Sequence, residues 1–200
     1  MKKVVIPNEI KISGMNRKIQ FLPKEVIFPG EKKVYFGPEF IYFHGNLSEE
    51  ETWRELIKSL LFFTDFGGEI EDSAKCRIAG NLTVFLIENK FLGGTPINKI
   101  PKKVKILGWE YQVNEVDFVI NENELCLGQA DVLSGEIQLY ANLPTYRKWV
   151  TFFHEVVHGL DVLEELSEKG VVWLSWQITK FLADNNIISV GGDLSENHKK

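Results

Sequence analysis

Residues 151–159, Thr-Phe-Phe-His-Glu-Val-Val-His-Gly, constrain the structure most because they contain the pattern H-E-x-x-H. Side chains four residues apart lie one above the other on a helix, so the imidazoles of His154 and His158 face the same way. Two such imidazoles bind one Zn²⁺ ion, which in catalytic sites keeps a position for water. Glu155 lies beside them and is the predicted general base for that water. The pattern therefore predicts a helix that carries a zinc site.

The apolar residues around the motif predict which way this helix faces. They recur at spacings of three and four and form one stripe: Trp149, Phe152, Phe153, Val156, Val157, Leu160 and Leu163. At about 100° per residue, His154 and His158 lie opposite the middle of that stripe. We therefore expect the stripe to pack in the core and the histidines to face a cleft.

Composition and charge favour a globular protein that binds a cation. An apolar fraction of 44% over 200 residues is enough for a sizeable core. Residues 98–200 contain 15 acidic and 10 basic side chains, whereas residues 1–97 contain 13 of each. The net charge of −5 therefore resides in the half with the motif, and it disfavours a nucleic-acid partner.

The cysteines and the hydropathy predict a cytoplasmic protein with no membrane partner. Cys76 and Cys126 form no C-x-x-C pair, and we expect them to be reduced packing residues. The first apolar run ends after three residues, and no stretch reaches the roughly 20 apolar residues that cross a bilayer.

The chain also resembles itself at a separation of about 95 residues. The segment 6–14, Ile-Pro-Asn-Glu-Ile-Lys-Ile-Ser-Gly, resembles 100–108, Ile-Pro-Lys-Lys-Val-Lys-Ile-Leu-Gly, at an offset of 94. At an offset of 96, identical residues include Trp53 and Trp149, Asp65 and Asp161, Phe85 and Phe181, and Asn89 and Asn185. We interpret this as a tandem duplication. The alternative is that two amphipathic helix pairs match through their shared period alone.

The predicted fold class is α+β, with two tandem similar domains of short antiparallel strands followed by two packed helices. Gly93, Gly94 and Pro96 mark the boundary. Residues 1–95 would form a degenerate, metal-free zincin-like repeat, and residues 96–200 an H-E-x-x-H metallopeptidase-like domain whose first helix carries the site.

Turn residues and periodicity predict the elements of each domain. The predicted strands span 25–30, 33–36 and 39–43 in the first domain, and 104–107, 111–113, 117–120, 125–127 and 136–140 in the second. The predicted helices span 48–63, 72–89 and 168–184, with a further one that begins at 142–144. Ser48 and Glu51 have the spacing of a capping box.

The first copy lacks the chemistry of the second. Lys58, Ser59 and Phe62 stand at the positions of His154, Glu155 and His158. The first copy therefore cannot bind zinc in this way, and we predict a structural or substrate-recognition role for it.

A catalytic zinc usually has three protein ligands, so a third must come from elsewhere. Glu168 is the leading candidate because it lies three residues before Val171, on the stripe by which the next helix would pack against the first. Asp161 is its rival, since it follows His158 by three residues; it could instead orient a ligand histidine. The weaker candidates are Glu164, Glu165, His44 and His198.

Four aromatic residues near the site have no assigned role. Tyr140 and Tyr146 are close to it in sequence, but neither can be chosen as the group that polarises a substrate. Trp173 and Trp176 lie on the side of the last helix away from its stripe. We expect them to pack on the other repeat or on a partner subunit of a homo-oligomer, rather than line a substrate groove.

Residues 100–185 resemble the ImmA/IrrE-type zinc metallopeptidases, particularly the short phage and prophage versions. The similarity includes 100–108, the motif at 151–159 and the stretch 166–185; of these, H-E-x-x-H is shared by many zincins and identifies only that broad class. The resemblance implies zinc ligation by His154, His158 and Glu168, with Glu155 as the base. The chain departs from that family after Glu168: it has Val171-Val-Trp-Leu-Ser175 where the family has an Ala-Asn-x-Phe-Ala type stretch.

Two functions are compatible with these observations. The first is a zinc-dependent peptidase, an endopeptidase that hydrolyses a protein or peptide substrate with Glu155 as the base. The second is a non-catalytic protein-binding module whose zinc is structural or vestigial. A closed site with four protein ligands, such as Glu168 together with Asp161, would favour the second.

Overall fold

The computed structural model describes residues 6–12, 14–23, 25–26, 33–37, 39–64, 70–121, 124–161, 163 and 166–191. Most of the strand predicted at 25–30 lies outside these residues, as do Glu164, Glu165 and His198. The chain is α+β, as predicted.

The described part of the first half contains four strands and two helices. They are β1 Glu9–Ile12, β2 Met15–Leu22, β3 Val34–Phe36, β4 Phe40–His44, α1 Glu49–Thr64 and α2 Asp72–Glu88. The capping box predicted for α1 is confirmed: the Ser48 N–H donates to Glu51 Oε2 at 2.9 Å, and the Glu51 N–H donates to Ser48 Oγ at 3.2 Å.

The second half repeats this order with one additional hairpin in its described part. Its elements are β5 Lys103–Ile106, β6 Trp109–Val116, β7 Val119–Asn121, β8 Glu124–Cys126, β9 Gly128–Asp131, β10 Glu136–Tyr140, α3 Thr145–Leu160 and α4 Glu168–Asp184. The predicted span of α4 is confirmed at both ends. Pro144 lies at the N-cap of α3, one residue before the helix begins.

The two main sheets have the same strand order and the same strand directions. The first has the order β1-β2-β4-β3 and the second the order β5-β6-β10-β9. In each, the outer pairs are antiparallel and the central pair is parallel. The prediction of antiparallel strands was therefore incomplete, because the chain crosses over between the two central strands and brings them together in the same direction.

One hydrophobic core joins the two halves. It includes β-strand residues such as Ile41 and Ile137 together with the inward faces of all four helices. The α3 stripe is confirmed: from Trp149 to Leu160 its six members are at most 1% exposed. Leu163, the last predicted member, lies beyond the helix and is exposed.

Two asparagines fix the halves to each other in a reciprocal way. The side chain of Asn185, after α4, accepts from the Lys11 N–H in β1 at 2.7 Å and donates to the Lys11 carbonyl at 2.9 Å. The side chain of Asn89, after α2, makes the same two bonds to Lys105 in β5, at 2.7 and 2.8 Å. Each half thus binds the first strand of the other, and the tandem duplication remains our interpretation of this symmetry.

No helix in the described ranges is both long and apolar enough to cross a bilayer. Cys76 and Cys126 are both free thiols.

Candidate metal centre

Three side chains predicted as metal ligands meet at one point between α3 and α4. His154 Nε2 and His158 Nε2 lie 3.1 Å apart. Glu168 Oε1 is 3.2 Å from His154 Nε2, and Glu168 Oε2 is 3.2 Å from His158 Nε2. The phase of α3 accounts for the two histidines, because its opposite face is buried and these rings project from the other side.

Glu168 reaches the histidines because it is the first residue of α4. The helix start is defined by Ser167, whose hydroxyl accepts from the Gly170 N–H at 3.2 Å. Asp161 holds Leu166, two residues before Glu168: its Oδ2 accepts from the Leu166 N–H at 2.8 Å. Glu168 is exposed, so it does not occupy the buried stripe on which the sequence had placed it.

The group has the dimensions of a metal site. Ligand atoms about 2.1 Å from a tetrahedral ion lie about 3.4 Å from one another. The two imidazole nitrogens are 3.1 Å apart, and each is 3.2 Å from a different oxygen of Glu168, so the separations between the ligand residues are close to that value. Two imidazole nitrogens and a carboxylate are also a donor set that suits zinc. His154, His158 and Glu168 can therefore hold a metal ion together.

Burial and two neighbouring side chains act on the pKa of His154. Burial lowers the pKa of His154, the Glu168 carboxylate raises it, and the neighbouring His158 lowers it. The net lowering favours the neutral imidazole, which is the form that binds metals.

Glu155 lies on the buried side of this group, between α3 and β9. It is 6% exposed, although most glutamates lie at the surface. Burial raises the pKa of Glu155 to about 7; the Ala130 N–H, which donates to the carboxylate, opposes this effect, and the charge of Glu168 adds to it. A carboxyl group with this pKa can both accept and return a proton near neutral pH.

Gly128 in β9 makes room for Glu155. A Cβ atom at position 128 would lie 2.9 Å from Glu155 Oε1 and 2.6 Å from Thr151 Cγ2. The strand can approach α3 this closely because glycine has no side chain. The sequence prediction missed β9 altogether, and the only local signal was Gly128 itself at the end of an apolar run.

A cleft of about 1040 Å³ extends from the metal ligands along the groove between α3 and α4. Its lining includes Gly128, His154, Glu155, Tyr146 and Trp176. The Tyr146 and Trp176 rings make an edge-to-face contact with centroids 5.7 Å apart. Burial and the nearby Asp184 raise the pKa of Tyr146 to about 12, so this phenol keeps its proton.

The structure separates the competing candidates. Asp161 is not in the ligand group, because it is buried and binds the Leu166 N–H instead. His44 lies in β4 of the first half, and Tyr140 is not among the residues that line the cleft.

Trp176 lines the cleft, contrary to expectation, because its ring packs on Tyr146 of the same half. Trp173 packs against the core.

In the first half, a lysine contacts two of the residues that correspond in sequence to the ligands of the second half. At the offset of 96, Asp72 corresponds to Glu168 and Phe62 to His158. The Lys75 ammonium is 3.2 Å from Asp72 Oδ1 and 5.0 Å from the centroid of the Phe62 ring. A carboxylate and an aromatic face both attract a cation, so the side chain of Lys75 supplies a positive charge at this place.

Comparison with known proteins gives no relative: the chain matches no protein-family model, no curated protein and no solved structure.

Proposed function

We propose that the chain is a zinc-dependent peptidase whose centre is formed by His154, His158, Glu168 and Glu155. The observation that carries the proposal is the meeting of two imidazole nitrogens, 3.1 Å apart, with the Glu168 carboxylate, whose two oxygens each lie 3.2 Å from one of them, next to a buried glutamate with a pKa of about 7. The arrangement supplies three ligands and a base, which is the set that metal-assisted hydrolysis requires.

Each side chain has a separate task. His154, His158 and Glu168 would hold the ion, and a zinc ion there would polarise a carbonyl group and lower the pKa of water. Glu155 accepts a proton from the attacking water and returns it to the leaving amine. Ala130 and Gly128 hold its carboxylate in place, the first by a hydrogen bond and the second by a close approach.

The position of β9 favours an extended peptide as the substrate. In the described sheet β9 is an outer strand that pairs with β10 on one side. Its other side, where the Ala130 N–H is bound to the Glu155 carboxylate, can add a strand through its remaining main-chain groups. A peptide bound in this way would run along the cleft past Glu155 and the ligand group, as hydrolysis of a peptide bond requires.

The number of ligands favours the peptidase over the binding module. Among the described residues the group has three members, and Asp161, the expected fourth ligand of a closed site, is bound to the Leu166 N–H. Three protein ligands leave a position for water, whereas structural zinc sites have four. The resemblance to ImmA/IrrE-type peptidases agrees with this proposal and rests on the sequence motifs alone.

The decisive experiment is the substitution Glu155→Gln. We expect the variant to fold and to bind one equivalent of zinc, as measured by mass spectrometry, but to lose hydrolysis of an unstructured protein by about 100-fold or more. Glu88→Gln, on the exposed surface of α2, is the matched control and should retain full activity. Full activity of Glu155→Gln would overturn the proposal, and so would wild-type protein that binds zinc and cleaves nothing.

A further inference from the structure

The hairpin formed by β7 and β8 presents an apolar face to solvent. Ile120 and Leu125 lie directly opposite each other in its register, and Val119 lies opposite Cys126. Side chains opposite each other share a face, so Ile120 and Leu125 project together, and continuation of the register adds Phe118 and Leu127. Their exposed fractions are 60%, 75%, 70% and 41%. Four large apolar side chains thus form an outer face that the described part of the chain leaves open.

The hairpin is fixed at its base. Val119, on the inner face, is 1% exposed. The Val116 carbonyl accepts from the Ala141 N–H at 2.8 Å, and the Leu127 carbonyl accepts from the Tyr140 N–H at 2.9 Å. Both ends of the hairpin are therefore held by the end of β10, so the outer face is presented by an anchored element.

The outer face is continuous with the cleft. Leu127 belongs to the outer face and also lines the cleft, where it is followed by Gly128 beside Glu155. A chain that lies along β9 can therefore continue onto the hairpin without leaving the surface.

The charged residues next to this face in the sequence are acidic. Between Lys105 and Arg147 the sequence contains no lysine, arginine or histidine and seven carboxylates, of which Glu110 and Glu115 are paired with Lys103 and Lys148. Asp117 is next to Phe118, and Glu124 is next to Leu125; both are exposed. An apolar face with acidic residues at its edge is complementary to a segment that is apolar and basic.

We propose that the outer face of the β7–β8 hairpin, Phe118, Ile120, Leu125 and Leu127, binds an extended apolar and basic segment of a protein partner. If the protein is the proposed peptidase, this partner is its substrate, and that identification is the only part of the proposal that rests on the proposed function. Binding to the hairpin requires neither the metal ligands nor Glu155.

The test measures binding and cleavage separately. Two synthetic peptides of equal length and equal apolar content are labelled with fluorescein, one with lysine at alternate positions and the other with glutamate. Fluorescence anisotropy gives their affinity for full-length protein that carries Glu155→Gln, with and without zinc. We expect the basic peptide to bind in both conditions, more weakly as salt increases, and the acidic peptide not to bind.

The variant Ile120→Ser/Leu125→Ser, made in the same Glu155→Gln protein, should weaken binding of the basic peptide by about tenfold or more, since it removes two apolar contacts. The matched control, Met15→Ser/Val84→Ser, replaces two exposed apolar residues of the first half and should bind like the parent. Circular dichroism and thermal melting establish that both variants are folded.

Three results would overturn the proposal. The first is equal affinity of the hairpin variant and its control. The second is a wild-type dimer that the hairpin variant abolishes, which would identify a second copy as the occupant. The third is hairpin-dependent binding to neutral lipid vesicles in place of the peptide. Hairpin-dependent binding of the basic peptide by a protein that cleaves no substrate would leave this proposal intact and refute the peptidase.

Discussion

Glu155 and Gly128 are in contact across the interface of α3 and β9, and the space for the carboxylate exists because residue 128 has no Cβ atom. A methyl group there would be 2.9 Å from Glu155 Oε1 and 2.6 Å from Thr151 Cγ2, both closer than side chains tolerate. Position 128 therefore controls the position of the proposed base without taking part in the chemistry.

Gly128→Ala should displace the Glu155 carboxylate and lower kcat by about tenfold or more, since catalysis depends strongly on the position of the base. Zinc binding should be unchanged because the ligands lie on α3 and α4. The measurement is peptidase activity alongside metal content. Gly80→Ala in α2 is the control, since a Cβ atom there meets nothing within 4 Å. A Gly128→Ala enzyme with wild-type kcat would refute this role.

Glu168→Ala should weaken zinc binding by about 100-fold or more, because it removes one of three ligands. Asp161→Ala should instead lower the free energy of unfolding by about 1–3 kcal/mol, because it leaves the partly buried Leu166 N–H without its acceptor. Isothermal titration with zinc and urea denaturation distinguish the two effects. If Asp161→Ala lost more zinc affinity than Glu168→Ala, Asp161 would be the third ligand in place of Glu168.

Asn185→Ala should lower the free energy of unfolding by about 1–3 kcal/mol, since it removes both bonds to Lys11 and a third to the Phe181 carbonyl at 2.8 Å. Asn89→Ala should have a similar effect by symmetry. Urea denaturation measures both. The control is Asn114→Ala, whose bond to Glu136 is exposed, with an expected change within about 0.5 kcal/mol. Asparagine variants as stable as this control would show that the reciprocal bonds contribute little.

The variant Lys58→His/Phe62→His/Lys75→Val should bind a second equivalent of zinc. It places two histidines one turn apart on α1, keeps Asp72 at the start of α2, and removes the lysine that supplies the positive charge. Mass spectrometry of the native protein counts the ions. The control lacks Phe62→His and should bind one. A folded variant that still binds one would contradict the structural equivalence of the two helix pairs.

The stability of the protein should decrease as pH rises from 10 to 12 through Tyr146. Its pKa is about 12 in the folded state and about 10 in the unfolded state, because burial and then Asp184 disfavour the phenolate. The folded state keeps the proton that the unfolded state loses, so the contribution is fully present below pH 10 and is lost as pH approaches 12. Partial exposure limits it to on the order of 1–2 kcal/mol.

The difference between the wild-type and Tyr146→Phe unfolding curves, measured on metal-free protein against pH, isolates this contribution. An unchanged difference between pH 10 and 12 would show that the phenol titrates normally.

Most of what the sequence predicted correctly depends on local spacing. A period of 3.6 residues places His154 and His158 on one face of α3 and its apolar stripe on the other, whatever else the chain does. The capping box at Ser48 and the bounds of α4 likewise follow from nearby residues. The predicted α+β class follows from the number and order of these segments.

The failures concern contacts between segments that are distant in the chain. Strand β9 is short, lacks an alternating pattern and is stabilised by β10 and by the surface of α3, so its sequence alone did not predict a strand. The parallel central pair in each sheet could not be predicted from strands that local patterns leave undirected.

The sequence by itself determined the motif, the helix that carries it and the set of carboxylates from which a third ligand could come. Only the tertiary structure distinguishes among them, since Asp161 accepts from the Leu166 N–H whereas Glu168 lies beside the two imidazoles. It also decided the environment of Glu155, because the burial that raises its pKa comes from packing against β9. The physical reason is that periodicity fixes the direction of a side chain on its own element, whereas its neighbours depend on how the elements pack.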